Sequence, residues 1–439
     1  MRAVTLSPLL STPVPGPRSR ALSERVGAVE CPAFEERRRG RAASAGTDTS
    51  AIVLGRGHEA NLWDADDNRY VDLAAGFGAA ILGHGPSAAH AAAKLQIDRL
   101  VQGLGDLYAT DTKLALLERL AALHPSSHAR VMLCQSGADA VTAGLKTAVL
   151  ATGRPGIIAF EGSYHGMSYA PLAALGLKES FRAPFAAQLN PHVRFVAYPR
   201  DASGEAAALE AARDALRAGD AGAVLVEPIL GRGGVHAPSR AFFTELARLA
   251  RDAGALFVAD EIWTGIGRSG AILRSLELGL APDVVCIGKA LGAGFPISAC
   301  IASDAAMRGW AQSGEVLHTS THAGAPFGCA VALATLDAVA TDRLAERART
   351  LGGELVASLR DELGDRATVR GEGLLVAVDF GAPGRGVAAT QRLLEHGYVA
   401  TAGGTAGEAV VLTPPLVIGR EALLDVAPVM GQIARRTAP

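Results

Sequence analysis

The sequence predicts an α/β fold built on a mostly parallel central sheet with helices on both faces. Three observations predict it. Helical patterns alternate with short apolar runs from about residue 86 onward: VMLC (131–134), IIAF (157–160), VRFVAY (193–198), AVLVEP (223–228), ALFVAD (255–260), VVCI (284–287) and ISACIA (297–302). The chain has 439 residues, 49% of them hydrophobic, enough to bury one large core or two medium ones. Finally, polar residues of chemical interest stand just past several runs, where ligands bind in such sheets: Ser136, Tyr164 with His165, Glu227, Asp260 and Lys289.

Taken in order, residues 1–50 are rich in Pro, Arg, Ser and Ala, carry an Arg-rich run at 35–41 and show little periodicity, so they read as an N-terminal arm. Residues 51–85 read as the first part of a smaller domain. There NLWDADDNRYVDL alternates apolar and polar residues around the turn 64–68, a hairpin pattern, and Gly76, Gly78, Gly83 and Gly85 punctuate the loop that follows. Residues 86–330 form the large ligand-binding domain. Residues 331–439 complete the small α+β domain: a long helix from about Ala330 through Arg349, another helix, the strand LLVAVDF (374–380), a helix, and VVL (410–412) before Pro414-Pro415.

Composition narrows the partners. Lys+Arg 42 against Asp+Glu 44 gives a formal charge of −2, so no global field favours nucleic acid or an acidic membrane, and small molecules are expected. Five scattered cysteines, without CxxC or a His/Cys ladder, suggest reduced thiols and no metal. Prolines 8, 13, 15 and 17 interrupt the apolar start that a signal peptide needs, and no apolar run is long enough to span a membrane, so a cytoplasmic protein is expected.

The chemistry rests on few side chains. The chain has only five lysines, and Lys289 alone follows an apolar strand and precedes a glycine-rich loop, LGAGFP. An amine there can form a Schiff base, although any single lysine taken alone is far more often a solvated surface residue. Asp260 ends an apolar strand, so its carboxylate needs a cationic partner such as a pyridinium nitrogen, unless it caps a helix. Ser136, Gly137 and Ala138 stand between a strand and a helix, where N–H groups meet an anion such as phosphate or where the serine is a plain N-cap. Gly265-x-Gly267-x-x-Gly270 spells a dinucleotide fingerprint, but it lacks the strand-turn-helix frame and the acidic residue that would hold a ribose. HExxH and GxSxG are absent.

In order and spacing, these segments resemble the class III (ornithine- and 4-aminobutyrate-type) aminotransferases, from about Leu62 to Ile418. LWDADDNRYVDLAAGFGAAILGH resembles the family's N-terminal hairpin and substrate-side loop, which points to Phe77. QSGADAVTAGLKTA is similar to its phosphate-binding turn, EGSYHG to the segment whose aromatic residue, here Tyr164, stacks on the cofactor beside His165. LVEPILGRGG, VADEIWTGIGRSG and IGKALGAGFP are similar to the acidic loop (Glu227), the pyridinium aspartate (Asp260) and the Schiff-base lysine (Lys289). HTSTHAGAPFGCAVALATL resembles the stretch that places a threonine, here Thr321, on the partner's cofactor phosphate.

The resemblance implies the fold type I architecture of pyridoxal 5'-phosphate (PLP) enzymes, a homodimer with shared active sites, and amino-group transfer between an amine or amino acid and a keto acid or aldehyde. Lys289 and Asp260 would be catalytic. Departures bear on the substrate. Met167, Arg232 and Val411 replace an arginine, a glutamate and an arginine of those relatives, the last two being a pair that lets one pocket take both an amino donor and 2-oxoglutarate. Trp263 replaces a glutamine and removes an expected donor near the cofactor's phenolic oxygen. Loss of the switch pair leaves a racemase, epimerase or aminomutase as the alternative, and Phe77, Arg232 and Trp263 are the expected substrate contacts.

Overall fold

The computed structural model describes residues 5–46, 51–85 and 87–436. Its contacts divide the chain into two compact units, residues 88–346 and residues 1–87 with 347–439.

The larger unit is built on seven strands: β1 (Ala129–Cys134), β2 (Gly156–Phe160), β3 (Val193–Val196), β4 (Ala221–Val226), β5 (Leu256–Asp260), β6 (Val284–Ile287) and β7 (Ser298–Ser303). They lie in the order β1-β7-β6-β5-β4-β2-β3, with only β7 antiparallel to its neighbours. The central strands are apolar up to their carboxyl ends, where β5 closes on Asp260, because both faces are covered. Alternation along each strand sorts the side chains. Ile158, Phe160, Val224 and Val226 pack with Phe242, Phe243 and Leu246 of the helix Arg240–Asp252. Ile157, Ala159, Ala223 and Leu225 share the opposite core with Ala140, Val141 and Ala143 of the helix Gly137–Thr152. Each fully buried Phe or Leu contributes about 1.5–3 kcal/mol.

The smaller unit holds two four-stranded sheets. One contains the hairpin Asn61–Asp64/Arg69–Asp72, flanked by Leu54–His58 and, in parallel, by Tyr398–Val399. Asp64 closes the hairpin turn by accepting from the Asn68 N–H (2.9 Å) and the Tyr70 hydroxyl (2.7 Å). The second sheet orders Thr368–Glu372, Leu375–Asp379, Ala409–Leu412 and Thr401–Gly403, all antiparallel.

Three features differ from the sequence expectation. Much of the segment read as an arm is helical, Pro17–Gly27 and Pro32–Ala45. The prolines stand at the first helical position, where φ is already suitable and the missing N–H would have no partner, so they start these helices. The second helix is polar around its circumference, with Glu35 bonded to Arg38 and Arg39, and periodicity therefore says nothing about it. The long helix expected through Arg349 is two, Pro326–Thr341 and Leu344–Leu363, separated where Arg343 turns to φ +50°. The change of unit falls at 346 instead of 330, because Pro326–Thr341 packs on the helices Ala88–Arg99 and Asp111–Ala121.

Candidate active site

The larger unit gathers almost all the expected residues at the carboxyl ends of its parallel strands. Lys289 follows β6 in a short turn and is held at φ +38°, in the left-handed region that non-glycine residues occupy only when their surroundings insist. Its amine is pushed down to about 8, first by desolvation, with Arg232 adding to the effect and Asp260 and Glu227 opposing it. The Trp263 ring centroid lies 4.5 Å from Nζ.

Asp260 at the end of β5 is buried, and its Oδ1 accepts the Ile262 N–H at 3.0 Å. Its Oδ2 lies 2.7 Å from His165 Nδ1, and both side chains are sealed from solvent. One oxygen of the carboxylate that the sequence assigned to a ligand is therefore engaged by a protein imidazole. This contact spans 95 residues, and only the adjacent letters of Tyr164-His165 hint at it. The outer nitrogen of the same ring, Nε2, is buried without a partner among the described residues.

Glu227, just past β4, ties two loops together. One oxygen accepts from the Tyr164 N–H (2.8 Å) and the other from the Gly231 N–H (3.1 Å). Burial pushes its carboxyl up to about 7, against the influence of His165 and with that of Asp260. Arg232 lies over the Tyr164 ring at 4.6 Å.

Ser136 caps the helix Gly137–Thr152, its hydroxyl accepting the Asp139 N–H at 3.2 Å while its carbonyl accepts from Ser298 Oγ at 2.7 Å. The cap and anion readings are compatible, because the hydroxyl proton remains available and the N–H groups of Gly137 and Ala138 have no acceptor inside the helix. A Cβ at Gly137 would meet Ile262 Cγ2 at 2.8 Å, so the turn and the strand-end loop need a glycine to approach this closely.

Asp139 in the first turn pairs with His318 at 3.1 Å, which holds its carboxyl below the usual range and anchors the segment that carries Thr321. Cys134 joins these two within 4.8 Å, the one cluster of metal-ligand type among the described residues, but burial pushes its thiol far up and the carboxylate is already engaged. Thr321 is exposed, and its carbonyl accepts from Gln102 Nε2 at 2.7 Å.

Phe77 belongs to the smaller unit. It is about half exposed at φ +60° and lines a cavity of about 430 Å³ with Arg41, His84 and Leu394. Val411 is buried in the second sheet and Met167 is exposed. The segment Gly265–Gly270 forms turns closed by Ile266 N–H on the Ile272 carbonyl (2.6 Å) and opens no helix.

A desolvated amine, a buried carboxylate, a helix N-terminus and two buried ring nitrogens without partners among the described residues, His165 Nε2 and Trp263 Nε1, suit a phosphorylated pyridine aldehyde. Comparisons with known proteins agree. A family model described as aminotransferase class-III matches residues 42–433. The acetylornithine aminotransferase of Methanothermobacter thermautotrophicus is 34% identical, over 87% of this chain and 93% of its own. That of Mycolicibacterium smegmatis is 38% identical over 85% and 90%. Among solved structures, a PLP-bound amine transaminase from an uncultivated Pseudomonas species superposes with a TM-score of 0.80 at 27% identity, covering 88% of this chain and 94% of that one. The ornithine aminotransferase of Toxoplasma gondii gives 0.79 at 27%, covering 94% and 97%.

Proposed function

The chain belongs to the class III aminotransferases and is a PLP-dependent transaminase of fold type I, and from that premise we propose how its residues divide the work. Bound PLP supplies a carbonyl that takes up the amino group and a ring that draws electrons from the substrate carbon. Lys289 holds the cofactor and moves the proton at the substrate carbon. Burial lowers its amine to about 8 from 10.5, which eases the loss of the proton that a base must give up. Asp260, oriented by His165 and the Ile262 N–H, keeps a pyridine nitrogen protonated. Ser136, Gly137 and Ala138 receive the phosphate, Tyr164 packs on the ring, and Glu227 fixes the loops bearing Tyr164 and Arg232.

The observation that carries this reading is the desolvated Lys289 amine, set on a backbone of positive φ and within the electrostatic influence of Asp260, which His165 holds. The relatives named for ornithine and acetylornithine suggest an amino acid or its ω-amine as donor and a keto acid or aldehyde as acceptor. Arg232 is the candidate for a substrate carboxylate, with Phe77 and Trp263 as further substrate-side residues. A homodimer, with Thr321 on the partner's cofactor phosphate, is supported by the exposure of Thr321 in the single chain. Among the described residues no helix is long and apolar enough to cross a membrane. Five cysteines without a disulfide fit a cytoplasmic setting.

The test is absorbance between 300 and 500 nm with a panel of amines and amino acids but no keto acid. A lysine-bound band that Lys289→Ala abolishes, and that a donor consumes in one turnover, supports this assignment. Replacement of both switch residues, by Arg232 and Val411, favours one other outcome: a substrate that inverts or isomerises while the band persists would mark an isomerase.

A further inference from the structure

Trp263 stands where the sequence predicts only the loss of a donor. Its indole is 7% exposed, and its Nε1–H, shielded from solvent, has no acceptor among the described residues. Buried donors are rarely left so. The ring face is occupied differently, with the Lys289 Nζ 4.5 Å from its centroid, a cation–π distance for the aromatic side chain best suited to one. The neighbouring loop makes room for the ring. A Cβ at Gly231 would lie 2.7 Å from the indole Cε3, and Glu227 holds Gly231 there through its N–H.

We propose that Trp263 is a positioning residue with two separable actions: its ring face holds the Lys289 nitrogen in its cationic form, and its N–H donates to a cofactor oxygen beside that nitrogen. The inference rests on Lys289 being the cofactor lysine. PLP carries its phenolic oxygen on the ring carbon next to the one bearing the aldehyde, so a nitrogen that holds the aldehyde carbon has an acceptor beside it. The other charged groups that face the amine are Asp260 and Glu227, which favour its protonated form, and Arg232, which disfavours it. The two actions of Trp263 push in opposite directions. The ring face favours the protonated nitrogen, whereas a donor on the oxygen favours the state that has lost the proton shared between them.

Trp263→Phe keeps a ring and removes the N–H; Trp263→Gln keeps a donor and removes the ring. Each holoenzyme is titrated by absorbance for the pH midpoint of the lysine-bound band, and its dissociation constant for PLP is measured. Trp263→Phe is expected to raise the midpoint by about half a unit to one unit and weaken PLP about tenfold. Trp263→Gln is expected to lower the midpoint. A general disturbance of packing would not produce opposite signs. Shifts of the same sign, or variants indistinguishable from the parent, overturn the proposal. If Trp263→Phe does not fold, the sign of the Gln shift decides. Lys289→Ala separates the two levels: a band that survives in it removes the lysine assignment, whereas a band lost there with unshifted Trp263 variants removes only this inference.

Discussion

His165 Nδ1 lies 2.7 Å from Asp260 Oδ2, with neither side chain open to solvent. The imidazole can donate to the carboxylate and so restrain both its orientation and its charge, while Asp260 keeps one oxygen on the Ile262 N–H. Removing one partner of a buried pair typically costs about 3–5 kcal/mol, because the other charge is stranded. Asp260→Asn is expected to fold and to lower kcat by about two to four powers of ten. His165→Ala is expected to lose thermal stability and to weaken PLP. Steady-state rates and melting curves of the two variants check this, and a His165→Ala protein with the parent's melting point and PLP affinity would refute the pairing argument.

Lys289 makes the cofactor-free protein sensitive to alkaline pH. Its folded-state pKa, about 8, lies below its ordinary value of 10.5. The unfolded chain therefore binds the extra proton between these values, and stability rises with pH across that window. Below about 8 both states are protonated and the penalty is constant, up to about 3 kcal/mol. Lys289→Met, which removes the charge and keeps the length, is expected to melt higher than the parent at pH 7 and to lose the rise between pH 8 and 10.5. Denaturant melts of the two apoproteins across that range measure it.

Glu227 acts with the opposite sign on the acid side. Burial raises its carboxyl to about 7 from an ordinary 4.5. The folded protein binds the extra proton between those values, so this contribution is present below about 4.5 and is lost as pH rises through 7. Glu227→Gln is expected to flatten the stability profile between pH 4.5 and 7. The same variant should loosen the loop at Gly231, since an amide presents an N–H₂ to one of the two backbone donors that Glu227 now satisfies. Melting temperatures of apoprotein against pH test the first point, and hydrogen exchange at Tyr164 and Gly231 the second.

Arg232 is expected to discriminate among donors. A guanidinium–carboxylate contact removed by Arg232→Ala should lower kcat/KM for carboxylate-bearing amino acids by about ten- to a hundredfold, leaving simple amines nearly unaffected. Equal losses on both classes would show that Arg232 acts through Tyr164, over whose ring it lies, and not on substrate.

Phe243 and Phe77 separate the roles of aromatic side chains. Phe243 is fully buried between helix and sheet, and Phe243→Ala is expected to cost about 3–5 kcal/mol. Phe77, half exposed at positive φ, is expected to tolerate glycine without loss of melting temperature, because glycine relieves the backbone. Substrate KM, measured for Phe77→Gly alone, then reports the side chain's part in binding.

Much of the sheet and of the site was legible because the signals are local. A strand buried on both faces is a short apolar run, and the residue just past it is the one offered to a ligand; Asp260 and Lys289 sit at such points after LFVAD and VVCI. The proline-led helices at 17 and 32 were not legible as helices. Proline signals a helix start as readily as a break, and their polar surfaces carry no apolar stripe.

Sequence alone determined the alternation of elements, the strand-end placement of the chemical residues and, through motif order, the family and its cofactor. Only the tertiary structure decided what those residues touch. The His165–Asp260 bond, the Asp139–His318 pair and the Lys289 amine on the Trp263 ring join positions distant along the chain. Such contacts arise from the order in which parallel strands are laid side by side, and β5 with β6 brings Asp260 and Lys289 to one edge although 29 positions separate them in the chain. Local propensity acts over a few residues and cannot specify that order. The desolvation that lowers the lysine and raises Glu227 exists only once the layers close over them.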